Sequence, residues 1–129
     1  MIRVLIDENI SEHFAEGLNQ LQYPLKNDIE LTSIHKEFHK GILDEDWIPK
    51  WALQSGVFIT QDLGIINSDQ AFLLKNNIVG AFFLKPPKGC DYWDRVELVI
   101  NNWTKIVRII EEEKVPYKYF ITPRKIGRC

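Results

Sequence analysis

The chain has 129 residues, about one domain's worth and long enough to bury a single core. Hydrophobic residues make up 45% and charged residues 26%, which excludes a disordered or fibrous chain. The formal charge is −2, so composition alone does not point to nucleic acid, although Lys114, Lys118, Arg124, Lys125 and Arg128 give the end of the chain a basic character.

The first apolar run, Ile2 to Ile6, reads as a strand that runs into Asp7-Glu8-Asn9. Ile10, Phe14, Leu18 and Leu21 then recur at helical spacing, with Ser11 as the cap and Tyr23-Pro24 as the stop. Ile29 to Ile34 is a second strand, and His35 to Gly41 is polar and loop-like. Asp44-Glu45-Asp46 leads into Trp47, Ile48, Trp51, Ala52 and Leu53, which share one side of a helix ending near Ser55-Gly56. Proline suits a first helical turn, so Pro49 places the cap at about Asp46 and leaves Asp44 just upstream.

Val57 to Thr60 is the third strand and runs into Gln61-Asp62; Ser68 to Asn76 follows as a helix. Ile78 to Leu84 is almost purely apolar, the pattern of a strand buried on both faces. After Lys85-Pro86-Pro87-Lys88-Gly89, the longest helical pattern spans Asp91 to Glu112, with Trp93, Val96, Val99, Ile100, Trp103, Ile106, Val107 and Ile110 facing inward. Tyr117 to Thr122 is a last strand before the basic tail. The alternation predicts one domain over residues 1–129, a three-layer α/β/α sandwich with a mostly parallel central sheet.

Two cysteines, Cys90 and Cys129, fit a reducing compartment better than a disulfide framework. The few apolar residues ahead of Asp7 are too short for a signal-peptide core, and no run approaches the length of a membrane span. A cytoplasmic protein away from membranes is expected.

Two strands that each end on an aspartate are the informative pattern. In a parallel sheet the carboxyl ends of strands open onto the crevice where strand order reverses. Asp7 and Asp62 delivered there make a candidate site for a hard divalent cation, and such cations need several oxygen ligands. Asp44 or Glu45 can supply a third acid from the start of the middle helix, where acids are also favoured simply as caps.

Ile6-Asp7-Glu8-Asn9, Asp44-Glu45-Asp46-Trp47-Ile48-Pro49 and Ile59-Thr60-Gln61-Asp62, in this order, resemble the PIN-like domains of bacteria and archaea, small relatives of VapC-type toxin ribonucleases. The resemblance spans at least the first 85 residues. It implies a ribonuclease using Mg²⁺ or Mn²⁺, with Asp7, Asp44 and Asp62 as metal ligands and Glu45 as the substitute for Asp44 if the helix phase is shifted. Thr60 would stand near the metal-bound water or phosphate. Asn9 would orient Asp7 or a bound water. It further implies RNA as substrate, the toxin of a toxin–antitoxin pair as one such role with an antitoxin protein as partner, and a homodimer through the apolar C-terminal helix.

The chain departs from the family where a further acid often follows the third strand. Here Asn67 and Asp69 are the nearest candidates, and Glu8 is a weaker one because neighbours on an extended backbone point to opposite sides. Lys36, Lys40, Arg124 and Lys125 are candidate phosphate contacts. His35 and His39 have the spacing of zinc ligands on a helix but lie in a loop-like stretch. The four tryptophans read as core, while Tyr117 and Tyr119 could stack on a splayed base. Two other readings stand beside the nuclease: a catalytically silent PIN-like module that binds a protein or RNA, and a receiver-like phosphoacceptor. The receiver is disfavoured because Ile78 to Leu84 carries no hydroxyl.

Overall fold

The central apolar runs, Val57–Thr60 and Gly80–Leu84, become parallel strands because they are buried on both faces and the chain between them is long enough to cross back over the sheet. The computed structural model describes residues 1–61, 72–86, 89–123 and 126–128. In chain order the elements are β1 (Ile2–Ile6), α1 (Glu12–Gln22), a 3-10 turn (Tyr23–Leu25), β2 (Ile29–Ser33), α2 (Ile34–Glu37), α3 (Asp44–Ala52), β3 (Val57–Thr60), α4 (Phe72–Asn76), β4 (Gly80–Leu84), α5 (Tyr92–Asn101), α6 (Trp103–Glu112), β5 (Tyr117–Ile121) and β6 (Ile126–Arg128). The sheet order is β2-β1-β3-β4-β5-β6, parallel throughout except for β6 against β5.

Alternation along the strands divides the core in two. Val4, Ile6, Val57, Ile59, Phe82 and Leu84 face α1, α5 and α6, whose Phe14, Leu18, Val99 and Ile106 cover them. Leu5, Phe58, Ala81 and Phe83 face the opposite layer, where Ile34, Trp47, Ile48 and Trp51 pack. This is the expected α/β/α sandwich. Each such side chain fully buried contributes roughly 1.5–3 kcal/mol, so both faces of the sheet hold their helices firmly.

Several boundaries differ from the sequence reading. The stretch read as loop from His35 holds one helical turn, α2, capped by Ser33 Oγ, which accepts from Lys36 N at 3.3 Å. Helix α3 starts at Asp44 rather than Asp46, so Asp44 is its first residue and Pro49 lies inside it. The amide Pro49 lacks would have bonded the Glu45 carbonyl, and Glu45 is exposed, so water can serve that group instead. The end of α3 is as expected: Gly56 takes φ +73° and its N–H closes back on the Trp51 carbonyl at 3.0 Å.

The single helix expected over Asp91–Glu112 is two. Asn102, buried, turns its side-chain amide onto the Leu98 carbonyl at 2.7 Å, competing with the helical ladder, and α6 restarts beyond it. Part of the basic tail forms β6. Leu21 is exposed and Gln22 is buried in its place, its amide donating to the Ile29 carbonyl at 2.7 Å. Trp93 and Ile100 are exposed, whereas Tyr117 and Tyr119 are buried, so the tyrosines are core and do not present a stacking face. Burial, with the Glu113 carboxylate and then Tyr119 nearby, pushes the Tyr117 phenol well above its ordinary range. The predicted helix from Ser68 is described only as α4, from Phe72 onward.

Gly80 is required by close approach. A Cβ there would come within 2.5 Å of the Tyr117 ring that lies over it in register. Gly80→Ala should cost about 1–3 kcal/mol in urea unfolding, the usual effect of overpacking. Restored stability in Gly80→Ala with Tyr117→Phe would not be expected, since the ring carbons make the clash as well as the hydroxyl.

Candidate functional site

The chain leaves β1 to form β2 on one side, then returns to form β3 on the other. The boundary between β1 and β3 is therefore the switch point, and Asp7 and Thr60 are the residues that follow Ile6 and Ile59, which pair in register there. Side-chain alternation sends both to the face occupied by Leu5 and Phe58, the face that α3 covers.

Asp7 is 6% exposed, a buried carboxylate that must be compensated. Thr60 Oγ1 donates to its Oδ2 at 2.6 Å, and the Glu8 amide donates to its Oδ1 at 2.7 Å. The backbone is pinned as well, with Asp7 N donating to the Ile59 carbonyl at 3.0 Å and Ile10 N to the Asp7 carbonyl at 3.0 Å. Thr60 is wholly buried, so in this arrangement its hydroxyl holds Asp7 rather than meeting a ligand. Asn9 Oδ1 accepts from Gln61 N at 3.5 Å, tying the loop after β1 to the end of β3.

Asp44 arrives from α3 on the same face of the sheet. Trp47 Nε1 donates to its Oδ1 at 2.9 Å, and the Trp47 ring stands edge-on to Phe58 with centroids 5.0 Å apart. Phe58 precedes Thr60 by two residues, roughly 7 Å along the strand. The indole thus ties Asp44 to the face of the sheet that carries Thr60. Glu45 is exposed beside it. Asp62, Asn67, Asp69, Arg124 and Lys125 lie outside the described residues.

The remaining candidates separate. Lys40 lines a cleft of about 360 Å³ with Glu8, Asn9, Ser11, Glu12, His13 and His35, next to the loop that carries Asp7. Lys36 lines a different cavity, of about 350 Å³, against α1 and β2 with Glu16 and Asn19. Glu8 accepts from Gly41 N at 3.0 Å and so fastens the loop before α3 to the loop after β1. His35 Nδ1 faces Glu12 at 3.8 Å and His39 Nδ1 faces the Lys40 carbonyl at 3.1 Å. Among the described residues no three His, Cys, Asp or Glu side chains gather as a metal cluster.

Sequence reasoning placed Trp47 in the core without seeing its second role. The signal was available: Asp44 and Trp47 are three apart, the spacing at which helical side chains meet. The anchoring of Asp7 by the Glu8 amide carries no sequence signature.

An open, mostly parallel sheet flanked by helices, with a buried acid at its switch point, is consistent with a PIN-like fold. A family model described as a PIN-like domain matches residues 2–85, and the chain belongs to that family. No curated protein and no solved structure matches the chain. PIN-like domains are commonly nucleases, generally use divalent metals and are associated with nucleic acid. No helix among the described residues is long and apolar enough to cross a membrane.

Proposed function

We propose that this chain is a Mg²⁺- or Mn²⁺-dependent endoribonuclease. The observation that supports it most directly is Asp7, a buried carboxylate held from two sides at the switch point, on the face to which α3 brings Asp44. The donor chemistry fits the cation, because carboxylate oxygens are the ligands that hard divalent ions take. Asp7, Asp44 and Asp62 would hold it, with Asp62 supplying the third acid. When bound, such an ion activates water and offsets charge on the leaving oxygen of a phosphodiester.

The protein's own residues do the positioning. Thr60 and the Glu8 amide fix the direction of the Asp7 carboxylate, and Trp47 fixes Asp44. Lys40 and Asn9, beside the site, would meet a neighbouring phosphate or sugar. A toxin role would bring an antitoxin protein as partner, and a second copy of the chain is the other partner this reading anticipates.

The test is cleavage of a mixed, end-labelled RNA pool with Mn²⁺ or with EDTA. Cleavage that requires the metal supports the nuclease. No cleavage by folded protein moves the reading to a silent module that binds RNA or protein through the same crevice.

Thr60→Val removes only the hydroxyl. Cleavage should fall about tenfold or more, the scale seen when a ligand's supporting partner is lost, and stability should fall by about 1 kcal/mol because a buried acceptor loses a donor. Thr60→Ser should restore most of the rate. Single-turnover cleavage and urea unfolding of the two variants check this.

A further inference from the structure

Of the two acids that follow β1, Asp7 is buried and Glu8 is exposed. The sequence makes Glu8 a weak candidate for a further metal ligand, but its groups are otherwise occupied. Its amide donates to Asp7 Oδ1 at 2.7 Å, and its carboxylate accepts from Gly41 N at 3.0 Å, 33 residues along the chain. Glu8 is therefore bonded at both ends, to the buried acid on one side and to the loop before α3 on the other.

Gly41 leads directly to the second acid. Asp44 follows after Ile42 and Leu43, and three residues of chain span at most about 11 Å. That short span has little slack. Ile42 packs against the core that holds Trp47, and the Leu43 carbonyl accepts from Asp46 N at 2.9 Å and Trp47 N at 3.1 Å as α3 begins. Gly41 itself takes φ +82°, yet a Cβ there would meet nothing within 4 Å, so glycine is needed for backbone direction and not for room. The left-handed residue lets the chain offer its N–H to Glu8 and still run on into α3. An exposed carboxylate that holds one amide adds little to stability, so the consequence of this bond lies in what it positions.

We propose that Glu8 is a positioning residue that couples the two acids: its amide sets the direction of Asp7, and its carboxylate, through Gly41, sets where Asp44 enters the site. The assignment rests on the nuclease reading and takes Glu8 out of the ligand set. Glu8→Gln and Glu8→Ala separate these roles. Glutamine keeps an oxygen for the Gly41 amide and loses the charge, whereas alanine loses the latch and keeps the backbone amide on Asp7.

Calorimetry with Mn²⁺ reads the coupling. Glu8→Ala should bind the ion about tenfold more weakly, the low end for loss of a group that orients a ligand, because Glu8 acts on Asp44 through three residues. Glu8→Gln should bind close to wild type, and both variants should melt near the wild-type temperature. Cleavage by Glu8→Ala should recover as Mn²⁺ is raised, which a general loss of structure would not allow. In metal-free protein, hydrogen exchange of the Gly41 amide should be slowed in wild type and Glu8→Gln and fast in Glu8→Ala. Glu8→Ala that binds Mn²⁺ as wild type does, or keeps slow exchange at Gly41, overturns the latch; if that variant still cleaves RNA with dependence on Asp7, the nuclease reading survives alone. Glu8→Gln that falls as far as Glu8→Ala makes the charge itself decisive, returns Glu8 to the ligands and overturns the proposal. Wild-type protein that neither binds Mn²⁺ nor cleaves RNA overturns both readings.

Discussion

Asp7→Asn is expected to abolish metal-dependent cleavage while leaving the protein folded. The substitution removes a negative charge but almost no volume, and the local bonding can be rebuilt. The retained oxygen can keep the Glu8 amide, and the new Nδ2 can face Thr60, whose hydroxyl accepts as readily as it donates. Removing a partner that merely supports a metal ligand lowers activity about 10–100-fold, so neutralising a ligand should exceed the upper end of that range. Circular dichroism and urea unfolding should show near-native folding, and calorimetry should show weakened Mn²⁺ binding. A folded Asp7→Asn protein that cleaves at the wild-type rate would remove Asp7 from the site and with it the proposed function.

How far the sequence led depended on where the physics is local. β1 and β3 were legible because they are short, mostly apolar runs, and Asp7 followed because the residue after such a run in a parallel sheet falls at the rim. Helix α2 was not legible: four residues are too few for a period to show, and its formation turns on the Ser33 cap. The break at Asn102 was hidden because the apolar pattern continues through it, and only the bond from its side chain to Leu98 shows that one helix has become two. Trp93 was assigned to the core for the same reason, by extending one stripe along one helix. It belongs to the first turn of α5, at the rim, and Val96 is the first buried residue of that helix. At the site, the pattern suggested which acids matter but not what holds them. That is set by the β1–β3 register and by a tryptophan reaching back one turn.

Trp47 should separate the fold from the chemistry. Its ring is buried between α3 and Phe58, and its Nε1 donates to Asp44. Trp47→Ala empties that volume and should cost about 3–5 kcal/mol, a large share of the roughly 5–15 kcal/mol that stabilises a domain. It should appear as a melting temperature lower by about 10 °C or more. Activity lost in that variant would say nothing about Asp44. Trp47→Phe keeps an aromatic ring against Phe58 and deletes the indole donor, so the stability loss should be smaller, about 1–3 kcal/mol. Cleavage measured where the variant is fully folded should still fall about 10–100-fold, because Asp44 loses a group that orients it. Asp44→Asn and the double variant complete the comparison. If the indole acts through Asp44, removing both should cost little more than removing the carboxylate alone, whereas independent contributions would multiply. Wild-type cleavage by folded Trp47→Phe would reduce the bond to packing and leave Asp44 without an orienting partner in Trp47.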